Sequence, residues 1–581
     1  MVQLRRRLGD PMKKRLAFAF AVTGLLASSA MAQSPETYDL LIDNGTVYDG
    51  MGGAPFTGDV AIRGDRIVYV GPEAPGTAKK AVDAAGMAVS PGFINMLSWA
   101  VESLIHDGRG LSDTVQGVTL QVFGEGQSMG PVNATMKRNE LKRQGDIKYP
   151  IKWTTLGEYL SYLQQKGVTP NVASFVGAAT VRIHELGEGD VDPTPEQLVR
   201  MRALVRDAMK EGALGVGSSL IYAPAYYAET PELIAITEEA AKCGGMYISH
   251  MRNEGHDLLK AIDELIEISR KSGAPAEIYH FKQAGKANWD KLEPAVAKVN
   301  AARAEGLRIT ADMYTYPAGA TGLDAAMPVW VQAGGLEAWI ERLNDPATRE
   351  KVMAEMRNPD VEWENLLQLA GGADKALLIG FKNPKLKPLT GKTLAEVAAM
   401  RGKSPEETAM DLVIEDNSRV GTVYFLMSED NVRKQVGLPW MSFGSDAEAQ
   451  APEGVFLKSS THPRAYGNFA RALGKYARDE KAAELPDVIR RMTSFPATNL
   501  GIKGRGVLMP GYYADVVVFD PATVTDHGTF EKPQKLATGV EHVFVNGTQI
   551  WKDGKHTGAK PGRVVRGPGW TGWADGGACK N

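Results

Sequence analysis

Between about residues 89 and 500, the chain alternates short apolar segments with segments of helical periodicity, and this alternation restricts the fold more than any other feature. It favours parallel β-strands joined by crossover helices. Eight candidate strands begin at Val89, Leu120, Val172, Leu214, Met246, Glu277, Ile309 and Met441. Eight strands of this kind predict an α/β fold of the TIM (β/α)8 barrel type, whose chemistry lies at the carboxyl ends of the strands.

Short strands and turns without helical patterns lie on both sides of this region, in residues 36–88 and 501–575. The second of these segments includes Ala514–Asp520 and Val543–Gly547, which are runs typical of strands ending in turns. Two terminal β segments around a long middle predict one small composite β-sandwich domain beside the barrel of residues 89–500.

One gap in the alternation is much longer than the others. More than a hundred residues separate Tyr316 from Met441, and they include helical patterns at Leu336–Leu343 and Leu394–Met400. Loops of this length are uncommon unless they serve a function. We therefore expect an insertion at about residues 325–440 that acts as a lid or binds substrate.

The first 32 residues have the pattern of a secretory signal peptide. A charged segment ending at Arg15 precedes the apolar run Leu16–Ala27 and the small-residue site Ala30-Met31-Ala32. An uncleaved membrane anchor is the alternative, but the apolar run is shorter than the roughly 20 residues that span a bilayer. Cleavage after Ala32 predicts a periplasmic or secreted protein without membrane association.

The charge of the chain limits its partners. Lys and Arg number 66, Asp and Glu number 69, and the two signs are mixed along the chain, so that the formal net charge is -3. No basic field indicates nucleic acid and no acidic tail indicates a charged protein partner. The prediction is a small-molecule substrate, and the sequence does not predict an oligomeric state.

Cysteine is scarce for an exported protein. Cys243 and Cys579 are the two cysteines of the chain and lie far apart in the sequence. This count predicts no disulfide framework, so that packing must provide the stability. Cys243 precedes an apolar strand and is expected to be a core residue.

Ionisable residues end several of the predicted strands. His250 and His280 end consecutive strands in matching contexts, and Glu125 ends an earlier strand between two glycines. The carboxyl ends of barrel strands meet around one opening, where two imidazoles and a carboxylate form a His2Glu zinc site with one position open for water. Taken alone, Gly124-Glu125-Gly126 is also typical of a simple turn.

Asp446 ends the last predicted strand, Met441-Ser442-Phe443-Gly444-Ser445-Asp446. In that position its carboxylate could accept a proton from metal-bound water. The alternative interpretation is an aspartate that caps the following helix.

Several motifs together resemble those of D-aminoacylases, the N-acyl-D-amino-acid deacylases of the amidohydrolase superfamily, over nearly the whole chain after the leader. The motifs are Val89–Ile94, Gly117–Thr119, Ser249–Glu254, His280–Lys282, Ala311–Pro317, Gly444–Asp446, His462–Arg464 and Pro510–Asp515. The resemblance implies a TIM barrel with a β-sandwich built from both termini, bound zinc and hydrolysis of N-acyl-D-amino acids.

The resemblance also implies roles for individual residues. His250 and His280 match the metal histidines, Asp446 matches the general base, and Glu125 stands where a cysteine or glutamate ligand is found. The residues similar to those that hold the substrate carboxylate and the oxyanion are Lys282, Tyr222 and one of Tyr314 or Tyr316. For Arg252 and Arg464, substrate contact and structural ion pairing are both open.

The chain departs from the superfamily at the first barrel strand. The His-x-His motif is replaced by Leu97-Ser98-Trp99, and no lysine that could be carboxylated occurs in Gly215–Ser219. Both losses argue against a binuclear centre and predict one Zn²⁺ per chain, or another divalent metal. His106 and His184 are weaker candidates for a replacement ligand. Trp99 is expected to fill the volume of the missing histidine.

The resulting hypothesis is hydrolysis of a linear amide by a metal-activated water, with Asp446 as the proton carrier. Hydrolases of dipeptides, N-acyl-L-amino acids or cyclic amides within the same superfamily are the first alternative. A non-catalytic binding protein on a decayed scaffold is the second, because Leu97 and Trp99 cannot bind zinc.

Overall fold

The computed structural model describes residues 37–579 as an α/β protein. The predicted signal peptide, residues 1–32, lies outside the described residues. Within residues 37–579, no helix combines the length and the apolar character needed to cross a membrane.

Parallel strands form the centre of the molecule in two sheets. The three-stranded sheet has the order Asn171–Ser174, Val118–Phe123, Phe93–Asn95. The six-stranded sheet has the order Val176–Gly177, Gly215–Ser219, Met246–His250, Ala276–Ile278, Ile309–Met313, Met441–Phe443. Their residues are almost all buried, as expected for parallel strands covered by helices on the outside.

The α-helices that connect and surround these strands agree with the predicted alternation. The helix Pro195–Lys210 begins with a capping box, in which Thr194 and Gln197 bind each other's backbone amides. The α-helices are Val101–His106, Leu111–Thr114, Ala134–Arg143, Leu156–Lys166, Ala178–Leu186, Pro195–Lys210, Thr230–Lys242, Leu258–Ser272, Leu292–Ala304, Leu336–Leu343, Pro346–Arg357, Leu366–Ala370, Leu394–Arg401, Pro405–Asp416, Glu429–Val436, Arg464–Arg471, Leu485–Met492 and Ser494–Asn499.

The first predicted strand is divided between two sheets. Ala88–Pro91 pairs with Val516–Phe519 in the sheet of the terminal segments, and the parallel strand begins only at Phe93. Gly92 joins the two, and a Cβ atom there would collide with the side chain of Thr119. The first barrel strand, predicted to begin at Val89, therefore begins a few residues later in the structure, at Phe93.

Strands from both terminal segments lie in one nine-stranded sheet. Val516–Phe519 is central to it, because it pairs with Ala88–Pro91 on one side and with Val540–Val545 on the other. The order is Lys555–His556, Thr548–Lys552, Val540–Val545, Val516–Phe519, Ala88–Pro91, Leu40–Val47, Phe56–Arg63, Arg66–Gly71, with Ala81–Asp83 paired to Leu40–Val47. A separate small pair joins Thr37–Tyr38 to Thr77–Ala78.

The long insertion has its own sheet and its own apolar core. Gly421–Tyr424 is the middle strand of an antiparallel sheet and pairs with Gly319–Gly322 and Ala376–Gly380. This pairing brings the two ends of the insertion together at about residues 319 and 424, whereas the sequence predicted about 325–440. The following helix, Glu429–Val436, leads back to the last parallel strand.

Cys243 and Cys579 form a disulfide bond, which corrects the prediction that they are unlinked. The C-terminal segment runs back along the amino ends of the parallel strands, where Val564 bridges to Val172 and the amide of Gly567 donates to Gly212 O. This path brings Cys579 to the buried Cys243, a proximity that separation along the sequence does not reveal.

Candidate metal centre

A cavity of about 770 Å³ opens at the carboxyl ends of the parallel strands and is bordered by the insertion. The three predicted metal ligands and the predicted general base each lie at the carboxyl end of a parallel strand. Glu125 follows Val118–Phe123, His250 ends Met246–His250, His280 follows Ala276–Ile278, and Asp446 follows Met441–Phe443. All four side chains line the cavity.

The three predicted metal ligands converge on one carboxylate oxygen. His250 Nδ1 lies 3.1 Å from Glu125 Oε1, and His280 Nε2 lies 2.9 Å from the same atom. The donor atoms of the three residues all lie within 4.8 Å of one another, and all three side chains are buried. Two imidazole nitrogens and a carboxylate oxygen are donors that zinc prefers, so this site fits a divalent metal ion.

Burial and neighbouring charges shift the pKa values of these three groups. Burial alone would raise the pKa of Glu125, but His280 and His250 together hold it below its usual range. Burial lowers the pKa of His250. Burial and Lys282 also act to lower the pKa of His280, yet Glu254 and Glu125 outweigh them and raise it to about 10.

Asp446 faces this cluster in a strained backbone conformation. Its φ is +49° and that of His280 is +36°, values that residues with a Cβ rarely adopt. Such strain is typical of functional sites, where the surrounding structure holds it in place. Burial raises the pKa of Asp446. The next α-helix begins only at Arg464, so Asp446 does not cap it.

Asp446 also has two donors on its carboxylate. Arg464 Nη2 lies 2.8 Å from Oδ2, and the indole Nε1 of Trp99 lies 3.1 Å from Oδ1. Arg464 is 2% exposed, and its Nε and Nη1 atoms have no hydrogen-bond partner among residues 37–579. Buried guanidinium nitrogens are rarely left without an acceptor, so these two atoms are candidate donors to an anionic group.

The other predicted substrate residues divide into two groups. Lys282, Tyr222 and Tyr314 line the cavity, and the ring of Tyr222 packs edge-on against His250. Tyr316 does not line it, because its hydroxyl donates to Asp526 at 2.9 Å. The structure thus brings Tyr314, and not Tyr316, to the site.

Arg252 is likewise engaged elsewhere. Its guanidinium pairs with Glu264 at 2.8 Å and donates to the carbonyls of Tyr226 and Ala228. It does not line the cavity. Of the two interpretations that the sequence left open, these contacts match the structural ion pair.

Glu254 is a site residue that the sequence analysis did not identify. Its carboxylate lies 3.0 Å from His280 Nδ1 and 2.7 Å from Lys282 Nζ. A carboxylate on the far nitrogen of a ligand histidine orients the ring and increases its basicity. Its place four residues after His250, in the same short motif, is the signal that could have found it.

Glu254 also belongs to a second possible donor group with His250 and Glu364. Lys282 already provides the cation there, since its ammonium contacts both oxygens of Glu254 at 2.8 and 2.7 Å. The weaker candidates His106 and His184 do not line the cavity. The ring of His106 packs edge-on against Phe456, and His184 contacts Glu185.

The α/β fold and the donors at its strand ends define a metal-dependent hydrolase. The chain matches the amidohydrolase family over residues 80–551. It is 32% identical over 540 residues to D-aminoacylase from Alcaligenes xylosoxydans xylosoxydans, a match that covers 92% of this chain and 99% of the relative. The chain therefore belongs to the amidohydrolase family, among its D-aminoacylases, as its motifs predicted.

Two solved structures have the same fold over 91% of this chain and 100% of their own. One is N-acyl-D-glutamate deacylase from Bordetella bronchiseptica complexed with zinc and a phosphonate inhibitor, with a TM-score of 0.76 and 28% identity. The other is a D-aminoacylase described by one-metal activation and second-metal attenuation of its binuclear centre, with a TM-score of 0.74 and 31% identity.

Proposed function

We propose that this protein hydrolyses N-acyl-D-amino acids to a carboxylate and a free D-amino acid. The observation that carries the proposal is the convergence of Glu125, His250 and His280 opposite Asp446 in one cavity. The similarity to D-aminoacylase and N-acyl-D-glutamate deacylase supports the substrate class.

Glu125, His250 and His280 would hold one Zn²⁺ ion. When bound, zinc polarises a carbonyl and lowers the pKa of a water ligand to about 7. Asp446 accepts the proton of the attacking water and returns it to the leaving amine. Its strained backbone aims the carboxylate at the cavity, where Trp99 and Arg464 hold both of its oxygens.

Arg464, Tyr314 and Tyr222 are the cavity residues placed to bind the substrate. The two nitrogens of Arg464 that lack a partner within residues 37–579 donate to the substrate carboxylate, beside the ring of Tyr314, whose centroid lies 4.4 Å from the guanidinium. Lys282 adds positive charge but is held by Glu254. Tyr222, which packs on His250, is placed to donate to the developing oxyanion.

One metal per chain is part of the proposal. Leu97 and Trp99 stand where the superfamily has His-x-His, and neither side chain provides a metal ligand. The D-aminoacylase described by one-metal activation supports a mononuclear mechanism for this chain as well.

The finer architecture is also a proposal. The two parallel sheets would close into one (β/α)8 barrel, supported by the amide of Met96 donating to Phe443 O at 3.2 Å and by a bridge between Ser98 and Ala447. The terminal sheet would fold over as a β-sandwich. Val516 and Val518 pack into a separate apolar cluster, while Val517 faces the main core.

We further propose that the mature protein is exported to the periplasm or secreted. The leader pattern of residues 1–32 supports this, and so does the disulfide between Cys243 and Cys579, since disulfides persist mainly in oxidising compartments.

The test is a substrate panel combined with metal analysis of the same sample. The panel contains N-acetyl-D- and N-acetyl-L-amino acids, dipeptides and dihydrouracil. We expect near-unit zinc content and turnover of the N-acetyl-D-amino acids, both lost in His280→Ala. Faster turnover of another substrate class in the panel would contradict the proposed substrate. A metal-free protein without activity would favour the non-catalytic alternative.

A further inference from the structure

Trp99 joins the two carboxylates of the site through one donor. Its Nε1 lies 3.1 Å from Glu125 Oε2 and 3.1 Å from Asp446 Oδ1. An indole has a single N–H group and no acceptor, so this one proton is shared between both oxygens. The side chain is 37% exposed and borders the cavity, which places the shared contact beside the reacting groups.

The other oxygens of these two carboxylates already have partners. Glu125 Oε1 faces His250 and His280, and Asp446 Oδ2 faces Arg464. Without Trp99, Glu125 Oε2 and Asp446 Oδ1 would converge on one point with no donor between them. Two carboxylates that share a point repel each other unless a proton or a cation lies there.

We propose that the indole N–H of Trp99 takes the place of a second cation in this site. The N–H bridges the ligand carboxylate to the base carboxylate, and the aromatic ring that carries it, which supplies no metal ligand, restricts the enzyme to one metal ion. The proposal rests on the proposed function, because it takes Glu125 as a ligand and Asp446 as the base. Trp99 is a positioning residue, since it acts on the orientation of Asp446.

The neighbouring residues support this assignment. Leu97, two positions earlier, is 1% exposed and belongs to an apolar cluster, so it provides no donor to the same point. The amide of Asp446 donates to Leu97 O at 2.9 Å, which ties the base to the strand segment that carries Trp99. The backbone therefore fixes the distance between base and indole.

The test separates the N–H group from the volume of the ring. Trp99→Phe retains an aromatic ring but removes the donor. Trp99→His supplies an imidazole next to Glu125 Oε2 and Asp446 Oδ1, which gives three donors for a second ion. Trp330→Phe is the matched control, because Trp330 Nε1 also donates to a carboxylate, Glu355 at 3.1 Å, away from the cavity.

Zinc content is measured by mass spectrometry after equilibration with excess zinc and by calorimetric titration of the metal-free enzyme. We expect one equivalent in the wild type, in Trp99→Phe and in Trp330→Phe, and two equivalents in Trp99→His. We also expect kcat of Trp99→Phe to fall roughly 10-fold or more at unchanged KM, the size expected for a hydrogen bond to a charged group. Trp330→Phe should keep wild-type kcat.

Two results would overturn the proposal: a single equivalent of zinc in folded Trp99→His, or wild-type kcat and KM in Trp99→Phe. Thermal melting confirms that each variant is folded, and the two variants test the proposal independently of each other. Failure of the proposed function is distinguishable, because it would appear in the wild type as a lack of N-acetyl-D-amino-acid turnover in the substrate panel, whereas the zinc stoichiometry of Trp99→His does not depend on the substrate.

Discussion

Arg464 Nη2 lies 2.8 Å from Asp446 Oδ2, and both side chains line the cavity. The guanidinium therefore contacts the proposed base with one nitrogen, while Nε and Nη1 have no partner in the described part of the chain. In the proposed mechanism, Arg464 thus couples the orientation of Asp446 to the binding of the substrate carboxylate.

Replacing Arg464 by glutamine should selectively weaken the binding of substrates that carry a carboxylate. We expect KM for N-acetyl-D-methionine to rise at least about 10-fold, because a charge-assisted contact of about 1.5–3 kcal/mol is lost. The measurement is the ratio of kcat/KM for N-acetyl-D-methionine to that for its carboxamide, which should fall toward one. Arg252→Gln is the control, since Arg252 pairs with Glu264 outside the cavity. An unchanged ratio in Arg464→Gln would remove its role in carboxylate binding.

Replacing Asp446 by asparagine should separate metal binding from turnover. The three metal donors are untouched, so zinc content should stay at the wild-type level. We expect kcat to fall by about 10²–10⁴-fold, the usual contribution of general acid–base catalysis. Steady-state kinetics and metal analysis of one preparation provide the check. Wild-type kcat in this variant would eliminate the assigned role of the base.

The positions of the parallel strands could be predicted because each is a short buried run between helices. Seven of the eight predicted starts, from Leu120 to Met441, lie within three residues of the structural ones. Val89 was the exception, since Ala88–Pro91 and Phe93–Asn95 form one apolar run in the sequence and only the Gly92 crossing separates them. When one continuous apolar run is divided between two sheets, the local sequence does not indicate where the division lies.

The candidate site was predictable where chemistry and strand ends coincide, as for His250 and Asp446. Contacts that depend on side-chain direction were not predictable. The sequence does not indicate that Tyr314 faces the cavity while Tyr316 turns to Asp526, because both follow the same strand. The pairing of Cys243 with Cys579 depends on the path of the last segment, which has no periodic pattern.

The disulfide should secure the C-terminal segment without affecting catalysis. Cys579→Ser removes the link at the amino ends of the strands, opposite the cavity. We expect residues after about 560 to become sensitive to limited proteolysis and the melting temperature to fall, because a crosslink removes freedom from the unfolded chain. Zinc content and kcat should remain at wild-type values. Equal proteolysis of variant and wild type would contradict this role.

Glu277 should make the protein less stable as the pH rises. Its side chain is fully buried, where Thr310, Ser442 and Asn499 donate to its oxygens, and burial raises its pKa from 4.5 to about 7. The folded state therefore holds this proton up to a higher pH than the unfolded chain. Stability from this group is present below pH 4.5 and is lost as the pH rises to about 7, with a cost on the order of 3 kcal/mol.

Glu277→Gln isolates this contribution, because glutamine resembles the protonated acid and does not ionise. Its amide group can donate to Ser442, whose hydroxyl can still donate to Ala311 O. We expect the variant and the wild type to melt at similar temperatures at pH 5, and the variant to melt a few degrees higher at pH 8. Glu337→Gln, at a side chain that is 82% exposed, should show no such difference. A gap between Glu277→Gln and the wild type that is equal at both pH values would mean that Glu277 does not titrate in this range.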